Sequence, residues 1–335
     1  MKPSCILERE LLRDTVARMS YPGEDFDTWQ VAARSKLWQL LGMDKCSLAA
    51  LDFVIEYENE CEWDGVTEIR FSYQSEPGYR VPGHLFIPKK AVGKPPVMIC
   101  LQGHSSGMHI SLGRAKYPGD EDMICSGDRD FCARAVKEGF AAVAIEQRNF
   151  GECSLQHGNF CHQAAMTALL MGRTVIGQRV WDIMRLIDAL ELYFDSRLDI
   201  SAICCMGNSG GGTATAYAAA LEDRICLAMP SCAMCTFRES IGAMYHCTCN
   251  YVPGIANCFD MYDLMAMAYP KRYIQVSGEE DEIFPLSGAQ AVFSRGKQVY
   301  EQRGAGDLCV FVRGKGGHRF YADAAWQEVH RLLGK

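Results

Sequence analysis

Ile203-Cys204-Cys205-Met206-Gly207-Asn208-Ser209-Gly210-Gly211-Gly212-Thr213 is the stretch that decides how this chain is read. The run at 202–206 is apolar on both faces, as in a strand buried within a parallel sheet. A helical run, Thr213–Leu221, follows it. Between them Gly207-Asn208-Ser209-Gly210-Gly211 matches G-x-S-x-G in the strand–turn–helix setting that a nucleophile elbow requires. Glycines are needed because the turn is tight and strained, and no Cβ fits where helix and strand nearly touch. The serine is then raised above the sheet at a helix N-terminus, whose positive dipole end favours a developing oxyanion. The competing reading is a Gly-rich turn in which Ser209 is only an N-cap; the flanking strand and helix weigh against it.

Outward from this stretch, strands and helices alternate. Continuous apolar runs at 97–101, 141–145, 202–206, 225–229, 272–276 and 308–312 read as buried parallel strands, separated by helical patterns at 129–138, 178–194, 211–221, 287–301 and 323–333. Over 51–88 the pattern is alternating instead, through Phe53, Ile55, Thr67, Ile69, Phe71, Tyr73, Leu85 and Ile87, which predicts antiparallel strands. Residues 4–43 have helical spacing through Ile6, Leu11, Val16 and Met19 and again through Trp29, Ala32, Leu37 and Leu41, broken at Pro22-Gly23. The expected architecture is an α/β domain over 51–335. It has a mostly parallel sheet with antiparallel N-terminal strands, helices on both faces, and a helical extension at 1–50. That extension either covers the domain or mediates a homo-oligomer. Segments 103–127 and 231–270 read as long irregular loops after strand C-termini, the side where open α/β sheets bind ligands.

On this fold the partners of the serine come in the order acid, then histidine, each after a later strand. Strand 273–276 ends at Ser277-Gly278-Glu279-Glu280-Asp281-Glu282-Ile283-Phe284-Pro285. Asp281 is the expected acid: a short carboxylate in a loop suits a rigid orienting role, and Pro285 can open the next helix. Glu279, Glu280 and Glu282 read as solvated charges. Strand 309–312 ends at Gly314-Lys315-Gly316-Gly317-His318, so His318 is the expected base; His330 falls on the terminal helix and His84 in the early strands. The backbone N–H groups of Gly210 and, after strand 97–101, of His104 are the expected oxyanion donors. The competing readings of Gly103-His104-Ser105-Ser106 are a plain turn, or a substrate contact by the His104 side chain.

The chain has 335 residues, 48% of them hydrophobic, enough for a large core without staples. A formal net charge of −7 weighs against a nucleic-acid or anionic-membrane partner. Residues 1–13 carry Lys2, Glu8, Arg9, Glu10 and Arg13 with no apolar core, so no signal peptide is expected, and no apolar stretch is long enough to span a bilayer. With 17 cysteines, an odd number set in apolar runs, a reducing cytoplasm is the expected compartment. Cys232-x2-Cys235 with Cys247-x-Cys249 could be read as a zinc site, but C-x-C spacing is poor for one. Met234, Phe237, Ile241 and Met244 favour a packed apolar cap, so neither metal nor cofactor is expected.

Several further pieces carry a resemblance: Gln147-Arg148-Asn149-Phe150-Gly151-Glu152, Gly172-Arg173-Thr174, Arg179-Val180-Trp181-Asp182-Ile183-Met184-Arg185, Cys235-Thr236-Phe237-Arg238 and Gly317-His318-Arg319-Phe320-Tyr321. With the Ser209 turn they resemble the α/β-hydrolase superfamily, in particular its acetyl xylan esterase-like branch related to dienelactone hydrolases, from about residue 80 to the C-terminus. One departure is Gln102, where that family has histidine in a His-Gly-x oxyanion loop. Trp181-Asp182 and Gly172-Arg173 are expected to lock helices together. The resemblance implies a serine esterase that removes short acyl groups from a small-molecule or carbohydrate-type alcohol. A serine peptidase or lactone hydrolase on the same fold, and a non-catalytic scaffold, are the competing readings.

Overall fold

Apolar residues on the strands of the computed structural model, which describes residues 2–155 and 160–334, point alternately to two separate cores. Val97, Ile99 and Leu101 join one and Met98 and Cys100 the other, as pleating dictates. That is why these runs read as uninterrupted apolar sequence. In chain order the elements begin with helices α1 (Ser4–Asp14) and α2 (Phe26–Leu40) and strands β1 (Phe53–Glu60), β2 (Val66–Glu76), β3 (Tyr79–Pro88) and β4 (Pro96–Leu101). Helices α3 (Asp120–Cys125) and α4 (Phe131–Lys137), β5 (Ala141–Ile145), α5 (Cys161–Leu170) and α6 (Val175–Phe194) follow. Then come β6 (Asp199–Asn208), α7 (Gly210–Leu221), β7 (Ile225–Ser231), α8 (Met261–Met267), β8 (Arg272–Gly278), α9 (Leu286–Gln302), β9 (Cys309–Gly314) and α10 (Ala322–Leu333).

The nine strands form one sheet in the order β1-β2-β3-β5-β4-β6-β7-β8-β9. Pairs β1–β2, β2–β3 and β3–β5 are antiparallel and the rest are parallel. The mostly parallel sheet with antiparallel N-terminal strands is therefore present as read from the sequence. One face carries residues of α2, α6, α7, α8 and α9; the other carries α4, through Phe131 and Ala135, and α10, through Trp326 and Val329. The chain leaves β4 for β5 on one side and returns to β6 on the other. This reversal puts a crevice at the C-terminal end of β4, where open α/β sheets bind ligands.

The helical spacing at 4–43 extends further than the helices do. Helix α1 stops at Asp14, and Val16 and Met19 lie beyond it, because the N–H groups of Arg18 and Met19 donate to the carbonyls of Asn257 and Cys258. Segments 103–127 and 231–270 are less irregular than their sequence suggests. The first holds α3; the second holds α8, whose start is closed by a capping box between Asp260 and Asp263. Helix α8 is seven residues long with Met261 and Asp263–Met267 buried, so it shows no polar face from which a helical period could be read.

Trp181-Asp182 and Gly172-Arg173 do fasten the scaffold. Arg148 donates from Nε and Nη2 to the two oxygens of Asp182 on α6, each at 2.7 Å. Its Nη1 lies 2.8 Å from Glu76 at the end of β2, which also pairs with Arg173. The Trp181 indole donates to the Ser75 carbonyl at 3.1 Å. Removing one member leaves buried charge without its partner, so Asp182→Ala is expected to lower unfolding stability by about 3–5 kcal/mol in urea titration. A loss below about 1 kcal/mol, the range of exposed pairs, would show that this network holds nothing.

Candidate active site

Strand β6 ends at Asn208 and α7 begins at Gly210, so the whole reversal falls on Ser209. Its φ of 56° and ψ of −122° lie in a region that side chains other than glycine's rarely occupy. The turn is pinned from both sides. The Ser209 N–H donates to the Ser231 carbonyl and the Thr213 N–H to the Ser209 carbonyl, each at 2.8 Å. The neighbouring glycines are obligatory: a Cβ at Gly211 would stand 2.1 Å from the Leu101 carbonyl oxygen, and one at Gly207 2.5 Å from the Gly211 carbonyl carbon.

Since β6, β7, β8 and β9 are parallel neighbours, the loops bearing Ser209, Asp281 and His318 open on one rim. His318 Nδ1 lies 2.9 Å from Asp281 Oδ2. The other oxygen of Asp281 accepts the N–H groups of Ile283 at 2.9 Å and Phe284 at 3.0 Å. Burial alone would raise the pKa of this carboxyl, but the hydrogen bond and charge of His318, with the two amides, outweigh it and hold it below the ordinary carboxylate value. Phe284 stacks on the His318 ring at 6.0 Å, with the planes 17° apart. Of the four adjacent acids only Asp281 reaches this histidine; Glu279 pairs instead with Arg313. Cys232 links the two halves of the rim. It follows Ser231, and its thiol and the donor atoms of Asp281 and His318 lie within 4.8 Å of one another.

The loop after β4 rides over the serine, so closely that a Cβ at Gly103 would stand 2.9 Å from that of Ser209. The Gly210 N–H belongs to a first helical turn, which has no acceptor within its own helix. Among the described residues the His104 N–H has no acceptor either. The His104 ring is half-buried. It meets Phe150 edge to face at 4.8 Å, and its Nε2 lies 3.2 Å from the Cys249 thiol. Further along this loop Ser106, His109 and Asp120 form a second Ser–His–Asp group, but a relay between them is ruled out. Ser106 Oγ at 3.0 Å and Asp120 Oδ2 at 2.8 Å share the same ring nitrogen, Nε2 of His109. Asp120 also accepts the N–H groups of Lys116 and Tyr117, so the group staples a loop.

The paired cysteines do not form the arrangement that their spacing suggests. Cys232 faces Asp281 and the Arg319 carbonyl, and Cys235 the Pro285 carbonyl. Cys247 and Cys249 instead meet Cys161 and His104, residues that no local spacing connects to them.

No family model matches the chain. YtaP of Bacillus subtilis (strain 168), provisionally assigned as a hydrolase, is 26% identical over 261 residues, which cover 76% of this chain and 83% of YtaP. A Bacteroides fragilis protein provisionally described as an acetyl xylan esterase superposes with a TM-score of 0.78 at 17% identity, over 99% of this chain and 90% of its own. A glucuronoyl esterase from Solibacter usitatus superposes with a TM-score of 0.70 at 15% identity, over 93% and 94%. This is the α/β-hydrolase fold.

In this α/β-hydrolase fold one buried group escapes a reading of the sequence, because it merely ends the apolar run of β5. Glu146 is 1% exposed and sits beneath the loop after β4. Its carboxylate accepts the Met108 and Glu152 N–H groups and, at 2.6 Å, the Gln102 amide. Burial pushes its pKa up to about 7, since these donors are neutral and the Glu152 charge is nearby. The folded state therefore binds more protons than the unfolded chain between pH about 4.5 and 7. The stabilisation is complete below that window and is lost as pH rises through about 7. Glu146→Gln cannot titrate. The stability of the wild type relative to this variant is expected to fall, on the order of 3 kcal/mol, as urea titrations move from pH 4.5 to 8. A constant difference would show that Glu146 titrates normally.

Proposed function

We propose that this protein is a serine carboxylic-ester hydrolase that removes short acyl groups, acetyl foremost, from a small or carbohydrate-type alcohol through an acyl-enzyme. The observation that carries the reading is the 2.9 Å Asp281–His318 bond on the same sheet rim as a serine held at positive φ on a helix N-terminus. The acetyl xylan esterase and glucuronoyl esterase names of its structural neighbours, both ester cleavage on carbohydrate, support it.

In this mechanism His318 Nε2 takes the Ser209 hydroxyl proton as Oγ attacks the acyl carbon. The oxyanion of the tetrahedral intermediate accepts the Gly210 and His104 N–H groups, and the helix α7 dipole adds to their field. Collapse breaks the ester bond, and the departing alcohol oxygen takes the proton from His318. Water then attacks the acyl-serine with His318 again as base, which releases the acid and restores Ser209. Asp281 holds the tautomer with Nδ1 protonated and stabilises the imidazolium. The direct substrate is a small molecule met in the cytoplasm, a compartment that keeps thiols reduced and suits a chain with 17 cysteines.

With p-nitrophenyl acetate, butyrate and octanoate, Ser209→Ala is expected to lower kcat by about 10⁴-fold or more, and Asp281→Asn by about 10⁴-fold. Thermal unfolding should confirm that both variants are folded. The acetate ester should turn over fastest. Equal slow rates in wild type and Ser209→Ala would overturn the proposal and leave background attack by surface thiols as the source of turnover.

A further inference from the structure

Three thiols and an imidazole converge beside the loop after β4. The ligand atoms of His104, Cys161, Cys247 and Cys249 all lie within 4.8 Å of one another, with His104 Nε2 3.2 Å from Cys249 Sγ. Three separate pieces of chain supply them: the loop after β4, the first residue of α5, and the segment between β7 and α8. Cys161 and Cys249 are buried, while Cys247 and His104 keep partial exposure, which leaves an ion a way in. Three sulfurs and one nitrogen are a common donor set of closed zinc sites. Bond lengths of about 2.3 Å to sulfur and 2.0–2.1 Å to nitrogen put tetrahedral ligands about 3.5–3.8 Å apart, so small side-chain movements close this cluster on an ion.

Arg179 supplies an independent observation. It is 1% exposed, yet among the described residues no carboxylate pairs with it. It donates to the Arg148 carbonyl at 2.8 Å and lies over the Phe150 ring at 4.1 Å. Its remaining contacts are thiols: Nη1 is 3.5 Å from Cys249 and Nη2 3.5 Å from Cys161. A guanidinium this buried needs an anion, and three neutral thiols provide none. A divalent cation, three thiolates and a neutral imidazole together leave one negative charge, which Arg179 cancels.

We infer that His104, Cys161, Cys247 and Cys249 form a closed zinc site whose net charge Arg179 neutralises. Binding exchanges three thiol protons, released to solvent, for the ion; nothing is oxidised or reduced. The site also bears on the loop after β4. With Nε2 on the metal, the His104 ring is fixed in place, Nδ1 facing Gly210, 2.9 Å from where a Cβ there would stand. The backbone N–H of residue 104 is thereby held over Ser209, a consequence that rests on the ester-hydrolase reading, whereas the metal site does not.

The test is metal content of the full chain purified under reducing conditions without chelator. Elemental analysis should find one zinc per chain. Its K-edge absorption should show three sulfurs at about 2.3 Å and one nitrogen at about 2.0–2.1 Å. Cys161→Ser and Cys247→Ser should each lose the zinc, and the exposed-site control Cys125→Ser should keep it. If the first two variants do not fold, the wild-type absorption spectrum decides alone. The inference is overturned by reduced protein that neither contains zinc nor takes it up on titration with Zn²⁺. An oxygen-rich shell, zinc retained in both variants, or a disulfide among the three cysteines would overturn it equally. Zinc present without p-nitrophenyl acetate turnover would leave the metal site standing and count against the ester-hydrolase reading instead.

Discussion

The approach of α7 to the end of β4 governs the geometry of the rim. With only 2.1 Å between a Cβ at Gly211 and the Leu101 carbonyl oxygen, the helix can come this close only as bare backbone. That approach forces the chain to reverse within one residue, and the reversal puts Ser209 at positive φ. Strain of this kind costs on the order of 1–3 kcal/mol and persists only where the surroundings over-determine it. Here they do, since Gly210–Ala220 of α7 are all buried and both ends of the turn are hydrogen-bonded. The same approach brings the loop after β4 over the serine, so the position of one helix decides both where Ser209 stands and which amides surround it.

Two carboxylates of similar burial flank this turn and end in opposite protonation regimes. Asp281 is 4% exposed and held below its ordinary pKa; Glu146 is 1% exposed and raised to about 7. The difference lies in the partners. Asp281 faces an imidazole that can carry a positive charge, together with two amides. Glu146 faces neutral donors and a like charge on Glu152. Burial raises the pKa of both carboxylates, and only Asp281, whose hydrogen bonds to His318 and two amides outweigh it, ends below its ordinary value. An ionised Asp281 suits a group that orients a histidine, and a Glu146 that titrates near neutrality suits a polar support beneath a loop.

The parts of this molecule that a sequence reveals are those whose physics is local. Apolar runs ending in glycine-rich turns mark strand ends, so Ser209, Asp281 and His318 are each legible from a few neighbours. Asp281 stands out among four acids as the short carboxylate, placed between the glycine that ends β8 and the proline that opens α9. Helix α8 is not legible because burial leaves it no polar face. Nor is the thiol cluster. Cys247-x-Cys249 invites pairing with nearby Cys232-x2-Cys235, whereas topology carries Cys232 and Cys235 toward Asp281 and Pro285 and brings in Cys161 and His104 from elsewhere. Long-range assembly by crossovers leaves no periodicity to find.

Gln147-Arg148-Asn149-Phe150-Gly151-Glu152 shows why a segment far along the chain from the serine carries so much of the resemblance. Gln147 donates to the Gln102 carbonyl, at the root of the loop that bears His104. Arg148 ties the segment to Asp182 and Glu76, and through them to α6 and β2. Phe150 is fully buried, with the His104 ring against it at 4.8 Å and the Arg179 guanidinium over it at 4.1 Å. Gly151 gives Glu146 room, since a Cβ there would stand 2.2 Å from its carboxylate, and Glu152 donates its N–H to the same carboxylate. These residues are thus a platform on which the loop after β4 rests, and none need touch a substrate. A platform of this kind fixes where the backbone amides of the loop after β4 stand, and it leaves the rest of segments 103–127 and 231–270 free to vary around it.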